Sequence, residues 1–287
     1  MAASPAPPKT VLVTGCSDGG LGAALALAFA RENFRVFATA RDPARVTAAG
    51  SHANIEVLRL DVTSAESIAA CAAEVSGRTG GRGLDVLVNN AGAIFVLPLL
   101  DTAVADARRL FEVNVWGMLA VTQAFAPLLI TAKGTVLNIS SLAGAAKMAW
   151  QGVYNSSKAA MTFLSETLRI ELRPLGVRVV TAMVGEVETT LYAGTAATES
   201  FSLPAGSHYK QVEAVIGRQA RGELQTSNER AEITAGNIVR DVLSGTNGPI
   251  WRGGVAGFAK YATWLMPARL FEWILHKDRG VYDLNRG

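Results

Sequence analysis

Tyr154 and Lys158 carry a phenol and an ammonium four positions apart. On a helix that spacing sets both side chains on one face, within about 6 Å of each other, a pairing suited to acid–base chemistry. One such pair proves little, but its surroundings narrow the field. Ser140 and Ser141 close the apolar run Val136-Leu137-Asn138-Ile139, with Ser141 thirteen residues before Tyr154. Asn114 stands twenty-seven residues before Ser141, inside an apolar helical pattern. A buried helical asparagine is rare because its amide must be repaid in hydrogen bonds. A serine after a strand is common and would mean little alone.

A second constellation lies near the N-terminus. Thr14-Gly15-Cys16-Ser17-Asp18-Gly19-Gly20-Leu21-Gly22 directly follows the apolar run Val11-Leu12-Val13 and opens the alanine-rich stretch Leu21 to Glu32. Strand, glycine turn and helix in this order let bare backbone approach a pyrophosphate, whose charge is favoured at the helix N-terminus. Glycines serving only a tight turn would give the same letters. A rival reading is G-x-S-x-G, the nucleophile elbow of a hydrolase, with Ser17 as nucleophile and His208 or His276 as base. Against it, this strand comes first in the sequence, whereas the oxyanion loop normally precedes the elbow.

The choice of nucleotide turns on the end of the second strand, Phe37-Ala38-Thr39-Ala40-Arg41-Asp42, where an acidic residue normally holds the ribose hydroxyls of NAD. Arg41 offers positive charge to a 2′-phosphate instead, so NADP(H) is expected. Asp42 would oppose that phosphate if it pointed inwards, but Pro43 beside it is expected to turn it to solvent. Asp61, ending the third strand, is placed either to accept from an adenine amino group or to cap the next helix.

The elements that must position these residues follow an alternating order. Short apolar runs at 35–40, 55–60, 84–88, 135–139 and 177–183 alternate with helical patterns at 64–75, 106–130 and 154–173. This order builds a parallel sheet covered by helices on both faces. Thr63 followed by Glu66 spells a capping box for the helix near Asp61. From 186 to 229 the periodicity weakens around a short helical pattern at 209–221, as expected of a substrate lid. Regular structure resumes with a helix at 231–243 and a last strand at Ile250-Trp251.

The sequence resembles the short-chain dehydrogenase/reductase family over about residues 9–252. The resemblance rests on Thr14-Gly15 with its glycine turn, Asn89-Asn90-Ala91-Gly92 after the fourth strand, Asn114, Ser141 and Tyr154-x-x-x-Lys158, all in order and at family spacing. It implies a doubly wound α/β Rossmann fold with a seven-stranded parallel sheet in a single domain. It implies a catalytic set of Asn114, Ser141, Tyr154 and Lys158, in which Tyr154 gives the proton and Ser141 holds the substrate oxygen. Lys158 would lower the phenol's pKa from near 10 and bind the nicotinamide ribose. Asn114 would keep a water in place that relays protons to Lys158. Contacts to the dinucleotide are implied for Gly15, Ser17, Gly20, Leu21, Arg41, Asp61, Val62, Asn90, Ala91, Gly92, Tyr154, Lys158, Val187 and Thr189.

Two features depart from the family pattern: the glycine turn carries one extra residue, and the usual Pro-Gly after the sixth strand is Val184-Gly185. The extra residue leaves open which of Gly19 and Gly20 meets the phosphates. Both departures resemble a mostly fungal branch, similar to acyldihydroxyacetone-phosphate reductase and to tailoring reductases of natural-product pathways.

The expected reaction is reduction of a ketone on a bulky hydrophobic molecule, or the reverse, at a wall formed by Ile94, Phe95, Leu142, Met148, Trp150, Leu191 and Tyr192, with Lys147 and His208 as polar candidates. A non-redox isomerase or cyclase reusing Tyr154 and Lys158, and a regulator that only binds the cofactor, are the other readings. Composition agrees with a globular enzyme: of 287 residues 49% are hydrophobic and 18% charged, and the net charge of +3 is spread without a basic block, so nucleic acid is not an expected partner. Cys16 and Cys71, with no CxxC between them, suggest neither a disulfide nor a thiolate metal site, and no metal is expected. Residues 1–8 lack the basic start of a secretory signal, so a cytoplasmic location is expected. Residues 253–287 read as an apolar extension. Its stretch 254–275 is too interrupted by Lys260, Pro267 and Arg269 to span a bilayer, and would close the pocket, pack on a second copy in a homo-oligomer, or lie peripherally on a membrane.

Overall fold

The computed structural model describes residues 7–192 and 201–284. The first six residues of the leader and residues 193–200 of the expected lid lie outside this set. Nine strands form in chain order: β1 (Thr10–Thr14), β2 (Arg35–Ala40), β3 (Ile55–Arg59), β4 (Val86–Asn89), β5 (Thr135–Ile139), β6 (Arg178–Val184), β7 (Val187–Glu188), β8 (Glu229–Arg230) and β9 (Gly248–Arg252). Seven make one sheet in the order β3-β2-β1-β4-β5-β6-β9, and every pairing is parallel. The order reverses direction beside β1, between β1 and β4, which opens the crevice where such folds bind nucleotides. β7 and β8 pair separately.

Alternation along each strand divides the core into two layers. Val11 and Val13 face α1 (Leu21–Arg31) and, on the same side, the helix of residues 231–243. Leu12, Phe37 and Val136 face the opposite layer, made by α2 (Ala65–Thr79), the helical stretch 104–132 and α5 (Gly152–Leu172). That stretch has α3 (Val104–Phe111) and α4 (Gly117–Ala132) joined by a π turn over Glu112–Trp116. At mean hydropathy 1.6 it is long and apolar enough to cross a membrane, yet Val121, Phe125 and Leu129 bury its apolar side against the sheet. The sequence predicts one uninterrupted helix here; the π turn is the difference. Gly117 ends it where a Cβ would lie 2.9 Å from Val62, so α4 can approach that loop only without a side chain.

The cap of α2 also differs from expectation. Ser64, not Thr63, accepts from the backbone N–H of Ser67 at 3.2 Å, and the Ser67 hydroxyl accepts from the Asp61 N–H at 2.9 Å. Thr63 instead donates its hydroxyl to the Asp61 carboxylate at 2.7 Å. Two adjacent hydroxyls compete for the capping position, and the one with extended backbone, φ −112°, takes it.

After the lid come α6 (Glu213–Ala220) and α7 (Ala231–Leu243). The apolar extension is two helices, α8 (Ala256–Leu265) and α9 (Ala268–His276), separated at Pro267. Both cysteines are free and buried, and burial pushes the thiols up to about 12 for Cys16 and about 11 for Cys71. The thiolate is the reactive form, so the native protein should resist alkylation at pH 7.5. Rapid labelling of either cysteine by iodoacetamide, read by mass spectrometry, would contradict this packing.

Candidate active site

The glycine turn is built by contacts that glycine alone permits. Gly15 has φ +72°, and a Cβ on it would lie 2.9 Å from the backbone of Ala91. Gly19 has φ +74°, with Thr190 of the lid packed where its Cβ would be, 2.6 Å away. Gly20 is the N-cap of α1 and supplies no side-chain cap, so the first amides of that helix remain open to an anion. Of the two glycines left undecided, Gly19 makes the bend and Gly20 fronts the helix. The extra residue has a structural role that the sequence reading missed. The Asp18 carboxylate accepts from Thr47 N–H and hydroxyl and from Ala48 N–H, at 2.5–3.1 Å, tying the turn to the segment after β2. Those bonds, the Thr47 hydroxyl first, hold its carboxyl below the usual range.

Asn90 was expected to contact the cofactor, but its amide is already committed. Both amide hydrogens go to the carbonyls of Thr14 and Gly15, at 2.9 and 3.0 Å. The Thr14 hydroxyl in turn accepts from the N–H groups of Asn90 and Ala91, both at 2.9 Å. The side chain therefore fixes the turn against β4. Arg41 is exposed at the end of β2 and near enough to Asp61 to lower its carboxyl, behind the larger effect of the Thr63 N–H. Asp42 caps its own turn, accepting from Ala44 N–H at 3.1 Å, as the neighbouring proline suggested. Val62 is buried, Val187 and Thr189 follow β6, and Gly92 has Asn114 and Lys158 as its neighbours, 3.3 and 3.6 Å from where a Cβ would lie.

Asn114, Ser141, Tyr154 and Lys158 converge beyond the carboxyl ends of β4 and β5. Tyr154 lies in the first turn of α5 and Lys158 one turn on, both buried. The Ser141 side chain lies beside the Tyr154 phenol, near enough to lower its pKa, and its hydroxyl accepts from Ala143 N–H at 3.1 Å. Lys158 Nζ donates to the carbonyl of Ile139 at 2.9 Å, with only the Met161 sulfur, at 3.7 Å, as a second neighbour. An ammonium has three hydrogens to place, so this buried cation still has donor capacity for hydroxyl groups. Burial alone brings its pKa down to about 8.

Burial pushes the Tyr154 phenol up, and the neighbouring Ser141 side chain pulls it part of the way back. Asn114 is also engaged: Oδ1 accepts from Ala93 N–H at 2.8 Å, while Nδ2 donates to the Ala93 carbonyl at 2.9 Å and to the Ser157 hydroxyl at 3.0 Å. Both amide hydrogens are spent, so the side chain clamps the β4 loop to α5.

The expected substrate wall divides. Ile94 and Phe95 pack beside Tyr154 and Val153. Trp150 turns away into the lid core with Leu203, Val212 and Ile216, and its Nε1 donates to the Arg279 carbonyl at 2.8 Å. His208 and Lys147 are exposed. His276 is buried, accepting from Ala149 N–H at 3.0 Å through Nε2, so Nδ1 carries the hydrogen and donates to the Glu272 carbonyl at 2.7 Å. Both ring nitrogens are occupied, which leaves that histidine unable to serve Ser17 as a base. Arg279, reaching Gln219 at 3.0 Å, joins the same junction; the sequence reading missed it, and nothing in its spacing pointed there. Among the described residues no group of three potential metal ligands comes together.

The family model for short chain dehydrogenases matches residues 9–200. A short-chain dehydrogenase, cctT, of Talaromyces islandicus is 45% identical across 95% of this chain and 96% of its own. An NADPH-dependent 1-acyldihydroxyacetone phosphate reductase of Schizosaccharomyces pombe is 42% identical across 70% of this chain and 68% of its own. Among solved structures, a short-chain dehydrogenase from Streptomyces avermitilis superposes with TM-score 0.77 at 31% identity, covering 96% of this chain and 97% of that one. The chain belongs to the short-chain dehydrogenase family. It is an NAD(P)-dependent oxidoreductase.

Proposed function

We propose that the protein reduces a ketone on a bulky hydrophobic molecule with NADPH, or runs the reverse oxidation, using Tyr154 as the proton donor. The convergence of Ser141, Tyr154 and Lys158 beside an uncapped helix N-terminus carries this reading. The open amide at Leu21 suits the pyrophosphate, with Gly15, Gly20, Ala91 and Gly92 giving close approach along its path. Ser17 and Arg41 would hold the 2′-phosphate, Asp61 and Val62 the adenine, and Val187 and Thr189 the carboxamide. The remaining donors of Lys158 suit the ribose hydroxyls. The bound dinucleotide supplies the hydride.

Charge develops on the substrate oxygen during reduction, and hydrogen bonds strengthen where charge appears. The hydroxyls of Ser141 and Tyr154 both donate to that oxygen. Tyr154 then releases its proton to it, and the resulting phenolate is stabilised by the Lys158 ammonium one turn along α5. Holding the phenol protonated at rest keeps the donor loaded throughout the neutral range. Asn114 holds the loop above β4 against α5, so Ala93 and the tyrosine keep their separation. Ile94, Phe95, Leu142 and the lid offer an apolar wall, which suits a polyketide, terpenoid, steroid-like or lipid substrate. Residues 9–252 form the catalytic unit in this reading, with 186–229 as lid and 253–287 as extension.

Loss of the near-ultraviolet absorbance of NADPH with a panel of hydrophobic ketones tests the proposal. Conversion of substrate with no change in that absorbance would favour isomerase or cyclase chemistry instead. For the cofactor, Arg41→Ala should raise the KM for NADPH about tenfold or more and leave that for NADH nearly unchanged, because only the 2′-phosphate needs the guanidinium. Equal effects on both would remove the argument from Arg41.

A further inference from the structure

The helix α8 is amphipathic in the inverse sense. Ala256, Ala259 and Ala262 recur every third residue and are 1–5% exposed, so the small side faces the protein. Phe258, Tyr261, Trp264 and Leu265 are 54%, 60%, 86% and 80% exposed on the other side. A helix lying on a protein in water normally turns its large apolar groups inward. The extension is not held by these residues: His276 and the backbone of Arg279 anchor it to Ala149 and Trp150. Leu270 and Trp273 of α9, 46% and 51% exposed, add to the apolar surface on the extension. A monomer rarely leaves more than a few hundred Å² of contiguous apolar surface uncovered without a use for it.

Cations accompany the aromatics. Lys260 Nζ lies 5.4 Å from the ring centre of Tyr261, and Lys277 Nζ lies 5.6 Å from that of Trp273. Lys260, Arg269 and Lys277 take no part in the ion pairs formed among the described residues. Lysine is depleted from protein–protein interfaces, whereas tryptophan and tyrosine beside lysine and arginine are the composition of a helix lying at a lipid headgroup boundary. With ten residues before Pro267, α8 is too short to span a bilayer.

We infer that α8 and α9 dock the enzyme on the surface of an anionic phospholipid membrane, with Trp264 and Leu265 entering the acyl boundary and Lys260, Arg269 and Lys277 meeting the headgroups. The far end of the same helices touches the loop that leads into α5. A substrate dissolved in the bilayer would therefore leave it close to the lid.

Flotation of the full-length protein with vesicles of phosphatidylcholine containing phosphatidylserine tests this. The wild type should float, and a Trp264→Ser/Leu265→Ser variant should lose about tenfold or more in partitioning while oxidising NADPH with a water-soluble ketone at the wild-type rate. Removing phosphatidylserine, or adding 0.5 M salt, should weaken binding several-fold through the cations. Trp264→Phe should still float but lose fluorescence quenching by brominated lipid. A wild type that stays in solution overturns the inference. So does one that floats equally with the double variant. A dimer in sedimentation that the double variant dissociates, with no binding to vesicles, would assign the face to a second copy of this chain instead.

Discussion

Tyr154→Phe should lower kcat by about 10²–10⁴-fold, roughly 3–5 kcal/mol of barrier, while leaving NADPH affinity within about a factor of two. The ring remains to pack against Val153 and Phe95, so folding is spared, and only the phenolic hydroxyl with its proton is removed. Isothermal titration with NADPH alongside steady-state rates separates the two effects. Retained turnover would remove Tyr154 from the mechanism. A pH profile adds an independent check. The Lys158 proton, which meets the ribose in the proposed complex, is lost from the free protein as pH rises through about 8. The kcat/KM for NADPH should therefore be flat below that value and decline above it, since kcat/KM reports groups of the free enzyme. The same depressed value has the opposite sign for folding. A buried lysine that prefers to be neutral penalises the folded state below about 8, and the penalty is relieved between there and the unfolded value of 10.5.

Gly22→Ala should nearly abolish dinucleotide binding and lower stability by about 1–3 kcal/mol. A methyl group at that position would land on the Gly15 carbonyl oxygen and the Asn90 amide nitrogen. Neither can retreat cheaply. Asn90 already spends both amide hydrogens on Thr14 and Gly15, and Gly15 is in a left-handed conformation against Ala91. The turn would have to reshape just where the pyrophosphate is proposed to rest. Gly236→Ala is the control, because nothing lies within 4 Å of a Cβ there and α7 should gain about 0.5–1 kcal/mol from the better helix former. Thermal melts of the two variants should move in opposite directions, and only Gly22→Ala should lose NADPH binding in titrations. A Gly22→Ala protein that binds NADPH normally would mean that the turn has slack the packing does not suggest.

The sheet was legible because Val11, Leu12 and Val13, and their counterparts in the other central strands, are apolar on both faces, as a strand covered by helices must be. The site was legible where chemistry restricts residue type: a phenol and an ammonium one turn apart, a serine after β5, glycines where the backbone bends. What was hidden depends on partners distant in the chain. No letter marks the π turn at 112–116, which places Asn114 between Ala93 and Ser157. Nor does any letter show that the side-chain amides of Asn90 and Asn114 find partners within the fold, Thr14 and Gly15 for one and Ala93 and Ser157 for the other. Trp150 looked like pocket lining by its position after Ser141, but Arg279, more than a hundred residues later, provides a carbonyl for its indole and draws it into the lid. The direction of α8 was unreadable from periodicity, since that analysis assumes the bulky side is the buried one.

The junction of Ala149 and Trp150 with His276 and Arg279 gives the C-terminal extension a hold on the segment leading into α5 that its distance in sequence conceals. Helix α5 begins at Gly152, two residues beyond the junction, and the lid leans on the same tryptophan. Cutting the chain before His276 would not trim a loose tail but remove the acceptor of the Ala149 amide and the carbonyl under the Trp150 indole, and with them the brace of the lid cluster. Conversely, changes between His276 and Arg279 can shift the lid while Asn114, Ser141, Tyr154 and Lys158 stay untouched. The proton-transfer residues and the brace of the lid are in this way drawn from separate stretches of one polypeptide and are free to vary separately.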